Sequence, residues 1–144
     1  MIAFADSSAL VKLYADEAGS SEVRGFERFV VAQIARVEVP AALWKKQRIG
    51  DITIGDAGLL VADFEADWFG TDDEAPRFDP VRMTSLVVED AARLTGTHGL
   101  RANDAIQLAT ARAVHGADPS ITLLAAFHRT LRDAAVAEGF DVVP

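Results

Sequence analysis

The sequence contains no cysteine, which excludes disulfide bonds, thiolate metal sites and cysteine nucleophiles. It has no apolar run near the roughly 18 residues of a membrane span, and no basic region precedes the apolar segment 2–5 as in a signal peptide. We therefore expect no membrane association, and the lack of cysteine fits the reducing cytoplasm. Half of the 144 residues are hydrophobic and 25% are charged, a balance that predicts one globular domain over residues 1–144.

Basic residues are also scarce. The 14 lysines and arginines face 22 acids, so the formal charge is −8, which argues against a protein that coats DNA or binds membranes through basic charge. The excess is local, however, because residues 63–79 hold seven acids and a single base, Arg77. The total charge is therefore a weak argument against a nucleic-acid substrate.

Short apolar segments alternate with segments of helical periodicity. Strands are predicted over residues 2–5, 30–32, 78–83, 121–126 and 140–143. Helices are predicted over residues 7–17, 21–29, 36–49, 56–69, 102–114 and 129–138, and from a Thr84 cap to about residue 98. This alternation indicates an α/β fold whose parallel sheet is covered on both faces. Ligands of such sheets bind at the carboxyl ends of strands, which selects Asp6 and His128.

Three carboxylates stand in unusual, largely apolar surroundings. Asp6 follows the first strand, Glu38 lies in the first turn of a predicted helix, and Asp104 opens another helix. If they converge, they repel one another unless a cation neutralises them, and oxygen-only ligands suit Mg²⁺ or Mn²⁺. A carboxylate-held ion that also binds phosphate can activate water for phosphodiester hydrolysis.

Each acid also has an ordinary structural explanation. Asp6 is a favourable helix N-cap, Glu38 complements a helix dipole, and Asp104 can sit at a helix start capped by Asn103. Spacing alone does not establish convergence, but the three acids together favour a metal site.

Three segments surround these acids: Asp6-Ser7-Ser8-Ala9-Leu10-Val11-Lys12-Leu13-Tyr14, Val37-Glu38-Val39-Pro40-Ala41-Ala42-Leu43 and Asn103-Asp104-Ala105-Ile106-Gln107-Leu108-Ala109-Thr110-Ala111. They resemble the ordered motifs of the PIN domain, and more narrowly those of VapC-type toxins of bacterial and archaeal toxin–antitoxin pairs. Each motif alone is weak, but three in the right order with family-like spacing are a strong signal, and the similarity spans essentially the whole chain.

The resemblance implies an α/β/α sandwich with a central parallel sheet of about five strands. It implies a Mg²⁺- or Mn²⁺-dependent endoribonuclease in which Asp6, Glu38 and Asp104 are catalytic. Asp6 and Asp104 would coordinate the metal, and Glu38 would help to position metal or water. It further implies a structured RNA substrate of the transfer or ribosomal class, a homodimer, and a cognate VapB-type antitoxin whose tail blocks the pocket.

The chain departs from the family pattern after the fourth predicted strand, where a Thr-x-Asp-like segment usually supplies a fourth acid. Here Ala126 and His128 stand at those positions. An imidazole shifts metal preference toward Mn²⁺ or a similar ion, but His128 can also contact phosphate, act as an acid–base group, or merely cap a surface helix. The alternative function is thus an attenuated or inactive PIN-like protein that binds antitoxin or RNA without cutting.

Other residues suggest further roles. Lys12 and Arg101 are the first choices for RNA phosphate contacts because they lie near the acids in sequence. Leu10, Leu13, Tyr14 and residues 59–69 could form dimer or antitoxin surfaces. A receiver-like or phosphatase-like domain with Asp6 as acceptor is disfavoured, because it needs a lysine after a later strand and the last lysine is Lys46.

Overall fold

The apolar segments form a five-stranded sheet in the computed structural model, which describes all 144 residues. The strands are β1 (Ile2–Ala5), β2 (Arg28–Ala32), β3 (Phe78–Val81), β4 (Leu123–Ala125) and β5 (Asp141–Val143). The helices are α1 (Ser7–Tyr14), α2 (Ser20–Arg24), α3 (Ala35–Arg48), α4 (Ile54–Phe69), α5 (Ser85–His98), α6 (Ala102–Ala117) and α7 (Arg129–Ala137).

All neighbouring strands are parallel, in the order β3-β2-β1-β4-β5. From β1 the chain first builds one side of the sheet through β2 and β3, and then crosses to the other side with β4 and β5. The order therefore reverses between β1 and β4. In open parallel sheets, the crevice at the carboxyl ends of such a pair is where ligands bind.

Helices cover both faces of the sheet, which confirms the predicted α/β/α sandwich. Because successive strand side chains point to opposite faces, Phe4 packs with α5, α6 and α7, whereas its neighbours Ala3 and Ala5 pack with α1, α3 and α4. Both faces of the central strand are buried, so its sequence is continuously apolar rather than alternating.

The prediction of a helix over residues 21–29 is wrong in its C-terminal half. α2 stops at Arg24, and Phe29 instead pairs with Ala3 within β2, where it is fully buried. Strand pairing and burial here outweigh local helical periodicity. The predicted helix 7–17 is also too long, because α1 ends at Tyr14 and the hydroxyl of Ser20 donates to the carbonyl of Ala15 beyond it.

The predicted Thr84 cap is confirmed, because its hydroxyl accepts from Val87 N at the start of α5. Thr53 caps α4 in the same way by accepting from Asp56 N. The strand containing Pro80 lies at the sheet edge, where its missing N–H leaves no ladder bond unmade. None of the helices has the length and apolarity required to traverse a membrane.

Leu10 is fully buried, so it belongs to the core and not to a free surface. The phenol of Tyr14 donates to Asp67 Oδ2 at 2.5 Å and is likewise engaged within the fold. Leu59 and Phe69, at 67% and 63% exposed, remain available on α4. Of the surfaces predicted for partners, the α4 portion is the one that the fold leaves open.

Candidate active site

Four sequence-predicted residues meet at the carboxyl edge of the sheet. Asp6 directly follows β1 and His128 follows β4, so these two flank the point where the strand order reverses. Glu38 and Asp104 lie in the first turns of α3 and α6. Glu38, Asp104 and His128 line one cavity of about 340 Å³, together with Arg101, Ala102 and Asn103.

Asp6 is both a helix cap and a buried carboxylate. Its Oδ1 accepts hydrogen bonds from Ala9 N at 3.0 Å and from Ser8 Oγ at 2.6 Å, so the capping explanation from sequence is correct. The residue is only 2% exposed. The pKa of Asp6 is raised from 3.8 to about 6, because burial, with a smaller effect from the nearby Asp104, outweighs the lowering effects of the two hydrogen bonds and of His128. The site therefore disfavours this negative charge unless a cation is added.

Asp104 lies close to Asp6 and is almost as buried, at 9% exposed. Arg101, not Asn103, occupies the N-cap position of α6, so the proposed Asn103 cap is wrong. One ligand atom each from Asp6, Asp104 and His128 all lie within 4.8 Å of one another. The predicted convergence of the two aspartates is thus observed, and it includes the histidine.

Glu38 occupies the cavity wall but lies outside this three-residue group. Its Oε1 accepts from Ser7 Oγ at 2.9 Å and from Gln107 Nε2 at 2.8 Å, while Gln107 also donates to Ser7 Oγ at 3.1 Å. The carboxylate is therefore held in one orientation by two donors rather than by the neighbouring acids.

Sequence reasoning missed Ser7, Ser8 and Gln107 as site residues. Ser8 Oγ donates to Asp6 and accepts from Phe127 N at 3.0 Å, so it links the end of β1 to the loop after β4. Gln107 follows Asp104 by three positions and so shares its helix face, a spacing that could have identified it.

His128 stands at the N-cap position of α7 but makes no capping hydrogen bond through its side chain, so the capping explanation is wrong. Its Nδ1 lies 3.5 Å from Asp104 Oδ1, and the side chain is 54% exposed. The imidazole is directed to the acidic pair rather than to the helix that follows it.

The two predicted phosphate-binding residues differ in availability. Lys12 is 9% exposed, pairs with Glu17 at 3.0 Å and lies 4.3 Å from the centroid of the Phe127 ring. It is engaged in the fold, so its expected role in RNA contact is not supported. Arg101 is exposed and lines the site cavity.

The donor set fits a divalent cation. Both hydrogen bonds to the buried Asp6 carboxylate go to Oδ1, which leaves Oδ2 without a protein donor. A larger groove of about 720 Å³ lies elsewhere, between Tyr14, Lys46 and Leu60, but the one group of side chains spaced to hold a metal is Asp6, Asp104 and His128. Carboxylates that share a site in this way are stabilised by a bound cation.

A parallel α/β/α sandwich with carboxylates where the strand order reverses is the architecture expected of a PIN domain. The family model of the PIN domain matches residues 3–136, and the chain belongs to the PIN-domain family. Two curated relatives from Mycobacterium tuberculosis are ribonuclease VapC45 of strain CDC 1551 / Oshkosh and ribonuclease VapC49 of strain ATCC 25618 / H37Rv. Each is 35% identical over 147 residues, covering 99% of this chain and 95% of the relative.

The fold is also found in a chain of a toxin–antitoxin complex from Klebsiella pneumoniae. It superposes with a TM-score of 0.65 at 17% identity, covering 99% of this chain and 96% of that chain. The resemblance to VapC-type PIN domains that the three sequence motifs predicted is confirmed by these similarities.

Proposed function

We propose that this protein is a metal-dependent endoribonuclease that cleaves structured RNA of the transfer or ribosomal class and acts as the toxin of a toxin–antitoxin pair. The observation that carries the proposal is the convergence of Asp6 and Asp104 at the sheet edge of a PIN domain whose curated relatives are named ribonucleases. Residues 1–144 would act as one domain in the cytoplasm, where such RNAs are found.

Asp6 and Asp104 would hold the Mg²⁺ or Mn²⁺ ion. When bound, the ion supplies positive charge beside the scissile phosphate and lowers the pKa of a water molecule. The protein prepares this site by burying both carboxylates, so that their charges are weakly solvated and act strongly on a cation. Ser8 and the N-terminal turn of α1 fix the orientation of Asp6.

Glu38 would act as the third catalytic carboxylate. Both of its protein donors bind Oε1, which leaves Oε2 without a protein donor and available to accept a hydrogen bond from a water molecule. A carboxylate fixed in this way can orient the attacking water toward the phosphorus and accept its proton. This role needs no direct contact between Glu38 and the aspartate pair.

Arg101 at the cavity rim would contact an RNA phosphate. Its guanidinium donates two parallel hydrogen bonds to phosphate oxygens, which positions the backbone next to the acids. Such a contact would make RNA binding dependent on salt. Lys12 is not assigned this role because Glu17 and the Phe127 ring already engage its ammonium group.

A cleavage assay on transfer RNA and ribosomal RNA fragments tests the proposal. Activity should require Mg²⁺ or Mn²⁺ and disappear in excess chelator. It should fall by more than about 100-fold in Asp6→Asn and Asp104→Asn, since both remove charge that holds the ion and even residues that only support metal ligands contribute about 10- to 100-fold. Asp51→Asn, which changes an exposed carboxylate, is the matched control. Unchanged cleavage in either site variant would overturn the assignment.

The second candidate is a PIN-like protein that binds antitoxin or RNA without cutting. It is favoured by His128, because the imidazole replaces an acid beside Asp104 and leaves the cluster with two carboxylates. His128→Asp separates the two functions. Cleavage that appears only in this variant would show a natural site that has lost activity, whereas cleavage by the wild-type protein would exclude the binding-only function.

The proposed partner is a cognate VapB-type antitoxin, and the proposed assembly of the toxin alone is a homodimer. Support for the partner comes from the shared fold with a chain of a toxin–antitoxin complex. Exposed apolar residues such as Leu59 and Leu86, on α4 and α5, offer surface for both contacts. Light scattering on the purified chain would establish the assembly, and co-purification with the product of a neighbouring small gene would identify the partner.

A further inference from the structure

His128 lies close enough to the two aspartates to share a cation with them. The ligand atoms of Asp6, Asp104 and His128 are separated by at most 4.8 Å. An octahedral ion with bonds of roughly 2.1 Å places adjacent ligands roughly 3 Å apart and opposite ligands roughly 4.2 Å apart. Small side-chain rotations therefore suffice to bring all three atoms onto one ion.

The contact between His128 and Asp104 is itself informative. The separation of 3.5 Å between Nδ1 and Oδ1 is too long for a hydrogen bond, but it suits two ligands that share a cation. The imidazole makes no other hydrogen bond or ion pair with the protein. The buried carboxylate of Asp6 likewise keeps Oδ2 free of protein donors.

The backbone around His128 is fixed although its side chain is half exposed. Phe127 N donates to Ser8 Oγ at 3.0 Å, and Arg132 N donates to the carbonyl of His128 at 2.9 Å. The Phe127 ring packs against Gly19 so closely that a Cβ there would lie 2.3 Å from it. This anchoring keeps the imidazole beside Asp6 and Asp104, so that rotation about the side-chain bonds of His128 would be enough to bring its ring nitrogen onto a shared ion.

We propose that His128 is a third protein ligand of the metal and that the resulting nitrogen–oxygen set selects Mn²⁺, or a similar transition-metal ion, over Mg²⁺. Mg²⁺ is bound almost entirely through oxygen, whereas transition-metal ions accept imidazole together with carboxylate. The neutral ring would bind through Nδ1, leaving the proton on Nε2 toward solvent. The proposal rests on the divalent-metal function proposed above and adds which ion the site prefers.

Electron paramagnetic resonance of the Mn²⁺-loaded protein tests this directly, because a coordinated imidazole gives a ¹⁴N hyperfine coupling independent of catalysis. We expect the coupling in the wild-type protein and its loss in His128→Asp and His128→Ala. His115→Gln is the matched control, since His115 is exposed and lies eleven residues beyond Asp104, roughly 16 Å along α6. Competition titrations should show the Mn²⁺ to Mg²⁺ affinity ratio falling roughly tenfold in His128→Asp, equivalent to about 1.4 kcal/mol.

The outcomes are separable. Mn²⁺ that binds the wild-type protein without ¹⁴N coupling would overturn the ligand assignment and leave the nuclease proposal intact. Coupling that persists in both His128 variants, with folding verified by circular dichroism, would also overturn it. The metal-dependent function itself fails if neither ion binds the wild-type protein, or if Asp6→Asn binds metal and cleaves RNA as the wild-type protein does. This inference then fails with it.

Discussion

Gln107 donates a hydrogen bond to Glu38 across 69 positions of sequence, at 2.8 Å between Nε2 and Oε1. The amide also donates to Ser7 Oγ, which in turn donates to the same carboxylate oxygen. This triangle joins α6, α1 and α3 at Glu38, which lines the site cavity. Glu38 is consequently a positioned group, and the residues that position it are as testable as the acid itself.

Replacing Gln107 with leucine should impair catalysis more than folding. The substitution removes both donors of the amide but also removes its Oε1, a buried atom with no partner, so the free energy of unfolding should change by about 1 kcal/mol or less. Losing a group that orients a site carboxylate typically costs about 10- to 100-fold in activity. Single-turnover cleavage and thermal unfolding, with Gln47→Leu on α3 as control, would check this. Equal activity in the two variants would show that Glu38 needs no such support.

Asp6→Asn should stabilise the metal-free protein at neutral pH. Burial raises the pKa of Asp6 from 3.8 to about 6, so ionising the folded state costs up to about 3 kcal/mol that the unfolded chain does not incur. The stability that the protonated Asp6 carboxyl contributes to the folded state is fully present below pH 3.8 and is lost as the pH rises through 6. Urea unfolding in the presence of chelator from pH 4 to 8 should show the free energy of unfolding of Asp6→Asn rising relative to that of the wild-type protein as the pH increases.

Added Mn²⁺ provides the control for this pH effect. The ion should stabilise the wild-type protein and not Asp6→Asn, because binding to the folded state alone adds to its stability. Stability profiles that run parallel across the whole pH range would contradict the raised pKa.

Ser8→Ala should raise the pKa of Asp6 further. The Ser8 hydroxyl donates to Oδ1 at 2.6 Å and thereby lowers the pKa of Asp6 against the larger effect of burial. Carbon-13 titration of the Asp6 carboxyl would report the shift. Ser7→Ala is the matched control, because its hydroxyl binds Glu38 and not Asp6. A shift of equal size in both variants would point to a general loss of structure.

Gly19→Ala should destabilise the protein more than Gly50→Ala. Both glycines have positive φ, at 89° and 86°, so each substitution carries a backbone cost of about 1–2 kcal/mol. A Cβ at Gly19 also meets the Phe127 ring, whereas one at Gly50 meets nothing within 4 Å. Overpacking should add at least about 1 kcal/mol, and displacement of Phe127 should move the nuclear magnetic resonance signals of His128. If the free energy of unfolding falls equally in Gly19→Ala and Gly50→Ala, the Phe127 ring moves aside at no cost and the overpacking argument is wrong.

The sequence predicted the alternation of strands and helices well because both faces of this sheet are covered. Burial of Ala3, Phe4 and Ala5 on both faces makes β1 continuously apolar, a pattern that can be recognised without knowing the partner strand. It failed at Phe29, where helical spacing and strand pairing compete and only the contact with Ala3 decides. It did not predict the ion pair of Lys12 with Glu17, because position in the sequence does not show which acid a lysine side chain reaches.

By itself, the sequence determined the fold class and the order of the elements through local periodicity, and its motifs selected Asp6, Glu38 and Asp104 as the candidate acids. Only the tertiary structure decided that Asp6 and Asp104 meet His128 while Glu38 is held apart by Ser7 and Gln107. The physical reason is that the order of parallel strands is set by crossover connections and packing. Which chain segments share a sheet edge is therefore a property of the assembled core and not of any one segment.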